Sequence, residues 1–279
     1  MTPVLRVAGL NLFSGRSLAD GRSDPDRIAA AVGSLDPDLL ALQEVDHGQD
    51  RSGGVDQAAL AAAAIGAAEH RFLPLVAGTP GVPGWVPATG PEWAPATGSG
   101  HGPSTGPGRG PGYGIALASR RPVRSWHQLL LPPARGRWPI PIPARPPQLL
   151  WLADEPRGAL AAVLADPPMT VACTHLSFVP GVNLRQLHRV LRWLAWFPAP
   201  RLLLGDLNLP GRLPTLGTGW TSLVRAATFP AAGPRIQVDH LLAHGLPAGL
   251  PVTGQAVRLP ISDHLAISAR LGPWPPAVG

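Results

Sequence analysis

The sequence contains no lysine, so all 23 of its basic residues are arginine. Together with the frequent alanine, glycine and proline, this indicates the codon bias of a GC-rich genome. The arginine excess therefore says less about function than the charge suggests. The formal net charge of +6 still favours anionic partners such as nucleic acid or phospholipid surfaces. Because the arginines are spread along the chain, charge alone does not choose between these partners.

Cysteine is also scarce. Cys173 is the single cysteine of the sequence, so an internal disulfide is excluded. The first fifteen residues lack a basic segment followed by an apolar one. No apolar run approaches the roughly 20 residues that a membrane-spanning helix needs. We therefore expect a cytoplasmic protein with no signal peptide and no transmembrane segment.

Charged residues make up only 14% of the chain, whereas hydrophobic residues make up 45%, which suffices for a sizeable core. We expect a single domain over residues 1–279. Of the 35 residues in 78–112, 19 are glycine or proline, which predicts a surface insertion without regular structure. A functional lid is the alternative for this insertion. Residues 132–147 predict a second, proline-rich loop.

Short apolar runs bounded by glycine, proline and polar residues predict many strands and few helices. The predicted strands are 4–12, 38–45, 71–77, 113–119, 123–131, 149–153, 158–165, 169–176, 201–205, 236–243, 256–259 and 265–271. The predicted helices begin near residues 23, 56 and 183 and end near residues 35, 69 and 197. This distribution predicts two sheets packed face to face, with helices outside.

The stretch Arg201-Leu-Leu-Leu-Gly205-Asp206-Leu-Asn208 carries the first functional signal. It predicts a buried strand that ends on a carboxylate and an amide, which share one face if the chain stays extended. Ligands of open α/β sheets bind at such strand ends. Gly-Asp-x-Asn-x-Pro is equally typical of a turn, so this stretch alone leaves both interpretations open.

Polar residues recur where other strands are predicted to end. They are Asn11, Glu44, Arg157, His175, Asp206, Asn208, Asp239, His240, Asp263 and His264. Each one alone has an ordinary structural explanation, such as a backbone cap or a solvated surface group. Because charged residues are so few elsewhere, the whole set instead predicts one shared site.

Several of these residues lie in motifs that come in the order of a known family. The motifs are Leu-Gln43-Glu44-Val, Tyr113-Gly114-Ile, Thr174-His175-Leu, Gly205-Asp206-Leu-Asn208, Val-Asp239-His240 and Ser262-Asp263-His264. In this respect the chain resembles the endonuclease/exonuclease/phosphatase superfamily, the DNase I-like phosphoesterases. The resemblance implies an α/β fold, a four-layer α/β/β/α sandwich of two packed mixed β-sheets flanked by helices. It also implies a divalent-metal-dependent hydrolase acting on phosphoester bonds.

The resemblance implies a role for each residue of the site. The implied metal ligands, for Mg²⁺ or Mn²⁺, are Asn11, Glu44 and Asp263. The implied catalytic residues are His175, Asp206, Asn208, Asp239 and His264, and the implied phosphate-binding residues are Arg157 and Tyr113. A hard cation with carboxylate ligands suits this chemistry, because it neutralises charge on phosphate oxygens. Asp239 is expected to hydrogen-bond His264 and raise its pKa. Either His264 or Asp206 is the general base.

Two departures from the family pattern stand out. Some family nucleases orient the first histidine with a carboxylate beside the position of Tyr113, but here the neighbours are glycine and proline, so His175 lacks that partner. Members that repair abasic DNA carry lysine after the Gln-Glu pair, whereas valine follows Glu44 here. The second departure disfavours a repair enzyme.

Three functions remain open at this point. The first is a phosphoesterase that hydrolyses a P–O bond with activated water, its substrate being nucleic acid, a phospholipid headgroup or a small phosphodiester. The second is specifically a DNA or RNA nuclease, which the arginines support and the lack of aromatic-basic interleaving opposes. The third is a non-catalytic binding module that retained the fold. The sequence predicts no oligomeric state.

Overall fold

The computed structural model describes residues 4–82, 84–88, 110–142 and 148–274. The helices of this part are α1 (Pro25–Ser34), α2 (Gln57–Ala64) and α3 (Val182–Leu194). Its strands are β1 (Leu5–Asn11), β2 (Leu39–His47), β3 (Glu69–Ala77), β4 (Val86–Pro87), β5 (Gly112–Ser119), β6 (Val123–Leu131), β7 (Arg137–Ile142), β8 (Gln148–Ala153), β9 (Arg157–Leu164), β10 (Met169–His175), β11 (Arg201–Asp206), β12 (Thr221–Ser222), β13 (Asp239–His244), β14 (Val252–Val257) and β15 (Ala266–Leu271).

Two mixed sheets form the centre of the molecule. One has seven strands in the order β14-β15-β1-β2-β5-β3-β4, and the other has six in the order β12-β13-β11-β10-β9-β6. The pairs β1–β2 and β10–β11 are parallel, whereas most other neighbours are antiparallel. The remaining pair, β7–β8, is a separate two-stranded hairpin.

The alternation of strand side chains divides the core into three apolar layers. On β1, Val7 points between the two sheets, while Ala8 points under helices α1 and α2. On β11, Leu204 joins the same central layer, while Leu203 packs under α3. Helices therefore cover the outer face of each sheet, and the predicted four-layer α/β/β/α sandwich is confirmed.

The ends of two helices differ from the prediction. Helix α2 stops at Ala64 instead of reaching residue 69, because Gly66 adopts a left-handed φ of +63° that terminates the helix. Helix α3 begins after Gly181, so Asn183 lies inside its first turn and is not the cap. The Asn183 side chain instead donates to the backbone carbonyl of Asn208 at 2.8 Å.

The prediction of a proline-rich loop over residues 132–147 is partly wrong, because Arg137–Ile142 form β7 and pair with β8. Pro139 and Pro141 lie two residues apart in this strand. Backbone N–H groups of successive residues point to opposite edges of a strand, so positions 139 and 141 face the same edge and both prolines remove donors from that edge only. The other edge keeps its donors for β8.

The insertion predicted at 78–112 is also not wholly irregular. Val86 and Pro87 pair with the end of β3 as β4, and Trp85 lines the central cleft described below. Other parts of the insertion (83 and 89–109, including Trp93) and of the proline-rich loop (143–147) lie outside the described residues.

Gly205 is required where β10 and β11 run side by side. A Cβ atom at this position would lie 1.8 Å from the backbone oxygen of Thr174, at a φ of +154°. We expect Gly205→Ala to lower the free energy of unfolding in urea by about 3 kcal/mol or more. Gly233→Ala is the matched control, because its Cβ would meet no atom within 4 Å. Equal stability of the two variants would contradict the prediction.

Candidate active site

The ten predicted site residues lie together where the two sheets meet. Eight of them line one cleft of about 840 Å³: Glu44, Tyr113, Arg157, His175, Asp206, Asn208, Asp263 and His264. The other two, Asn11 and Asp239, stand behind this lining and hydrogen-bond to it. Residues separated by up to 253 positions in the chain, from Asn11 to His264, thus share one site.

Asn11, at the end of β1, holds two carboxylates in place. Its Nδ2 donates to Glu44 Oε1 at 2.9 Å and to Asp206 Oδ2 at 3.1 Å. Its Oδ1 accepts the backbone N–H of Phe13 at 3.1 Å, which fixes the orientation of the amide. Asn11 therefore positions acidic groups from both sheets, in addition to its predicted role as a metal ligand.

His264 is bonded as predicted, because its Nδ1 lies 2.9 Å from Asp239 Oδ2. Its Nε2 faces Asp206 Oδ2 at 3.9 Å and Asp263 Oδ1 at 4.0 Å. Burial alone would lower the pKa of His264, but Asp239, with Asp206 and Asp263, outweighs it and raises this pKa to about 10. The imidazole is therefore a cation at neutral pH.

Asp206, at the end of β11, also has a raised pKa, which for a carboxyl group favours the neutral form. Burial and the neighbouring charge of Asp239 raise its pKa to about 7, against the opposing effects of His264 and of bonds from Asn208 and Asn11. A carboxylate whose pKa lies near neutral pH can accept a proton and release it again. Asp206 and His264 thus differ in protonation because of their surroundings.

His175, at the end of β10, contacts a guanidinium. Arg157 Nη1 lies 3.1 Å from His175 Nδ1, and Arg157 is held on its other side by Asp154 at 3.4 Å. A guanidinium only donates, so Nδ1 accepts and the imidazole proton resides on Nε2. Nε2 faces Asp206 Oδ2 at 3.6 Å. Asn208 Nδ2 also lies 3.4 Å from Nε2, but it donates to the carbonyl of Leu176 at the shorter distance of 3.0 Å. On the Nδ1 side the described partner of the ring is Arg157, so this guanidinium orients the imidazole there.

We expect His175 to remain neutral and protonated on Nε2 around neutral pH, because burial and then the charges of Arg157 and His264 hold its pKa well below the usual value. Nitrogen-15 NMR of the histidine rings measures this tautomer directly. In Arg157→Met the cation is gone, so the pKa of His175 should rise toward its ordinary value. A wild-type His175 that titrates like a free histidine would contradict this assignment.

The Asp206–Asn208 stretch is a turn and part of the site at the same time. The strand ends at Asp206, whose Oδ1 accepts the backbone N–H of Asn208 at 2.9 Å. Asn208 has a left-handed φ of 49°, and its Nδ2 donates to the carbonyl of Leu176 at 3.0 Å. Of the two interpretations left open by the sequence, the turn describes the backbone of this stretch. The turn, not the strand pleat, brings both side chains to the cleft.

Glu44 is also placed differently from the prediction, because β2 continues to His47. The register between β2 and β5 shifts between Leu42 and Val45, and Glu44 lies in this bulge with a φ of 53°. A bulge re-aims one side chain out of the regular alternation. Glu44 thereby enters the cleft from the middle of a strand.

Strained backbone concentrates around the cleft. The described non-glycine residues with positive φ are Phe13, Ser14, Asp36, Glu44, Asn208 and Ser262. All but Asp36 line the cleft or adjoin it, and Ser262 donates its hydroxyl to the carbonyl of Asn11 at 2.6 Å. Such strain persists only where the surrounding structure imposes it, and it is frequent at functional sites.

The acidic groups fit a hard divalent cation. Asp239 Oδ1 and Asp263 Oδ1 are buried and have no hydrogen-bond partner within the described ranges. Ligand atoms of Asp206, Asp239 and His264 lie within 4.8 Å of one another, but His264 already bonds Asp239, so these three are better suited to holding protons. Carboxylate oxygens are the preferred ligands of Mg²⁺ and Mn²⁺. The ligand set Asn11, Glu44 and Asp263 stays a prediction.

Several residues of the cleft were not found from the sequence. Arg51 forms a bidentate pair with the buried Asp46 and stacks over the Tyr113 ring, 5.5 Å from its centre. Glu155 lines the cleft, and burial raises its pKa. No motif marks either residue, because each depends on the loop that brings it in. His240, in contrast, packs in the core and contacts the carbonyl of Leu209 at 2.8 Å, so it is structural.

Among the residues that the structure describes, no helix is long and apolar enough to cross a membrane.

Comparisons with known proteins support one family. The family model described as "Endonuclease/Exonuclease/phosphatase family" matches residues 8–264. A search of curated protein sequences found no match. Among solved structures, the endonuclease/exonuclease/phosphatase from Beutenbergia cavernae DSM 12333 is 22% identical with a TM-score of 0.60, the alignment covering 96% of this chain and 71% of that one.

Two further solved structures share the fold. The mannosyl-6-phosphatase Bt3783 of Bacteroides thetaiotaomicron VPI-5482 is 14% identical, with a TM-score of 0.58 over 96% of this chain and 99% of that one. Sphingomyelinase C from Streptomyces griseocarneus is 16% identical, with a TM-score of 0.56 over 97% of this chain and all (100%) of that one. At such identities the likeness shows the fold alone.

Proposed function

Because the chain belongs to the endonuclease/exonuclease/phosphatase family, we propose that it is a divalent-metal-dependent phosphoesterase that hydrolyses a P–O bond with water. One observation carries the proposal. Asp206 bonds to Asn11, faces both His175 and His264, and lies in the same cleft as Glu44 and Asp263. A structural role alone gives no reason for so many buried acids and imidazoles in one place.

Asp206 is the group of this chain that would activate the attacking water. The water oxygen forms a bond to phosphorus and the P–O bond to the leaving group breaks. Asp206 takes one proton from the water, because its pKa near 7 matches the working pH. The leaving oxygen takes a proton from solvent. This favours Asp206 over His264 as the base, because His264 already carries a proton at neutral pH.

The remaining groups bind the phosphoryl oxygens. His264, held cationic by Asp239, and His175, protonated on Nε2, offer N–H donors to them. The amide of Asn208 and the hydroxyl of Tyr113, whose pKa burial raises well above its ordinary value, offer further donors. When bound by Glu44 and its neighbours, Mg²⁺ or Mn²⁺ would neutralise charge on these oxygens.

The test is hydrolysis of bis-p-nitrophenyl phosphate and of p-nitrophenyl phosphate by the purified protein, with Mg²⁺, with Mn²⁺ and with EDTA. We expect turnover only with metal, and recovery when metal is added in excess of EDTA. Plasmid DNA in the same series distinguishes a nuclease. Turnover that EDTA does not reduce would contradict metal dependence, and a folded protein inert on all three substrates and silent in Mn²⁺ calorimetry would favour a binding module.

A further inference from the structure

The β7–β8 hairpin exposes large apolar side chains to solvent. Leu149 is 61% exposed, Trp151 53%, Leu150 44% and Trp138 39%. A lone two-stranded hairpin is only marginally stable in water, and apolar groups gathered on it add to that cost. Scattered exposed leucines need no explanation, but four such residues on one short ribbon indicate a surface that binds something.

The two faces of this hairpin have different surroundings. Side chains alternate along a strand, so Ile140 and Leu152 share one face and Leu149 and Trp151 share the other. Ile140 and Leu152 line the cleft, and the exposed Trp138 and Leu150 share their face. On the other face, Arg137 and Ala153 at the open end of the hairpin also line the cleft, whereas Leu149 and Trp151 do not and are exposed to solvent. The hairpin is therefore a wall of the cleft whose outer side is apolar and exposed.

Two arginines stand at the open end of the hairpin. Arg135 is exposed two residues before β7, and Arg137 opens the strand and donates from Nη2 to the carbonyl of Trp151 at 2.6 Å. The acids that follow β8 are turned inward, because Asp154 is buried and pairs with Arg157, and Glu155 lines the cleft. Aliphatic residues with tryptophan, bordered by exposed arginines, match the chemistry of an anionic lipid surface.

Two other partners fit this surface less well. Exposed Leu149 and Leu150 neither stack on bases nor donate hydrogen bonds, so nucleic acid would leave them in water. A second copy of the chain meeting through the same face would cover the leucines, but a two-fold interface would bring the arginines of both hairpins together without acidic partners. An anionic bilayer satisfies both the apolar and the cationic groups.

We propose that the β7–β8 hairpin binds the surface of an anionic phospholipid bilayer, with Leu149 and Trp151 inserted among the lipids and Arg135 at the headgroups. The cleft then opens at the membrane, next to phosphoester headgroups. The identification of phospholipid as substrate rests on the proposed hydrolytic function. Membrane binding itself does not depend on it.

The test is sedimentation of the full chain with vesicles in EDTA, so that binding is measured without turnover. One set of vesicles contains phosphatidylglycerol in phosphatidylcholine, and the other contains phosphatidylcholine alone. We expect tighter binding to the anionic vesicles, weakened by added salt. We expect the double variant Leu149→Ser, Trp151→Ser to bind them about tenfold more weakly or worse. Arg135→Gln should reduce the preference for anionic vesicles.

Trp196→Ser is the matched control, because this tryptophan is 88% exposed and is not part of the hairpin. It follows α3 and precedes Pro198, whose carbonyl accepts from Thr170 at the start of β10, whereas His175 of the site ends that strand. We expect this variant to bind vesicles like the wild type. Circular dichroism checks that every variant is folded.

Unchanged vesicle binding in the hairpin double variant, or an equal loss in Trp196→Ser, would overturn the proposal. Two other results would also overturn it if the wild type did not bind vesicles. One is a wild-type dimer that becomes monomeric in the double variant, and the other is wild-type binding to single-stranded DNA that the double variant loses. Hydrolysis of bis-p-nitrophenyl phosphate separates the two proposals. Vesicle binding without any hydrolysis would contradict only the proposed function. Hydrolysis without vesicle binding would contradict only the proposal that the hairpin binds membranes.

Discussion

Replacing Asp206 by asparagine should lower kcat for a phosphodiester by about 10³-fold, the usual contribution of a general base. The amide keeps most of the shape but cannot take a proton from water. It would also turn an N–H group toward Asn11 Nδ2, which now donates to Asp206 at 3.1 Å. Initial rates at saturating substrate and metal measure kcat, while the midpoint of thermal unfolding shows that the variant is folded.

Asp166→Asn is the control for this experiment. Asp166 is exposed in the turn between β9 and β10, at the end of these strands opposite to His175. We expect its kcat to equal that of the wild type. If Asp206→Asn retained wild-type kcat, Asp206 would not be the base, and the proposed division of roles between Asp206 and His264 would be wrong.

Replacing Glu44 by glutamine should raise the Mg²⁺ concentration needed for half-maximal activity by about 100-fold or more. The change removes a charge from the predicted ligand set but leaves an oxygen that can still accept from Asn11. Activity measured across a metal titration, with Mn²⁺ calorimetry on the same samples, separates loss of affinity from loss of chemistry.

Glu69→Gln provides the comparison, because Glu69 is a structural carboxylate that accepts from the backbone N–H of Val123 at 2.9 Å. Its metal requirement should match that of the wild type. Should Glu44→Gln bind Mn²⁺ and respond to Mg²⁺ as the wild type does, Glu44 is not a ligand and the predicted set of Asn11, Glu44 and Asp263 would have to be revised.

The layered fold was readable from the sequence because strand periodicity and burial are local properties. Val7 and Ala8, or Leu203 and Leu204, point to opposite layers as alternation requires. Strand ends were predicted within a few residues for the same reason. The hairpin strand β7 was missed because its two prolines are not typical of a strand. On an unpaired edge, however, the missing N–H groups of these prolines remove no hydrogen bond to a neighbouring strand.

The gathering of site residues was predictable from motifs, but their geometry was not. Glu44 depends on a bulge whose register is set by β5, about 70 residues later in the chain. The contact between Arg157 and His175 depends on how β9 pairs with β10, and no spacing in the sequence encodes it. Long-range pairing therefore decides what local patterns leave open.

The ten site residues are shared equally between the two sheets. Asn11, Glu44, Tyr113, Asp263 and His264 are carried by the seven-stranded sheet and the segment leading into β15, and Arg157, His175, Asp206, Asn208 and Asp239 by the six-stranded sheet and the turn after β11. A chimera that exchanged one sheet for that of a relative would therefore inherit half of the proposed active site. It would work only if the spacing between the layers were reproduced to about 0.5 Å, the tolerance of a preorganised site. A substitution between the two sheets that changes their spacing would therefore also change the geometry of the site.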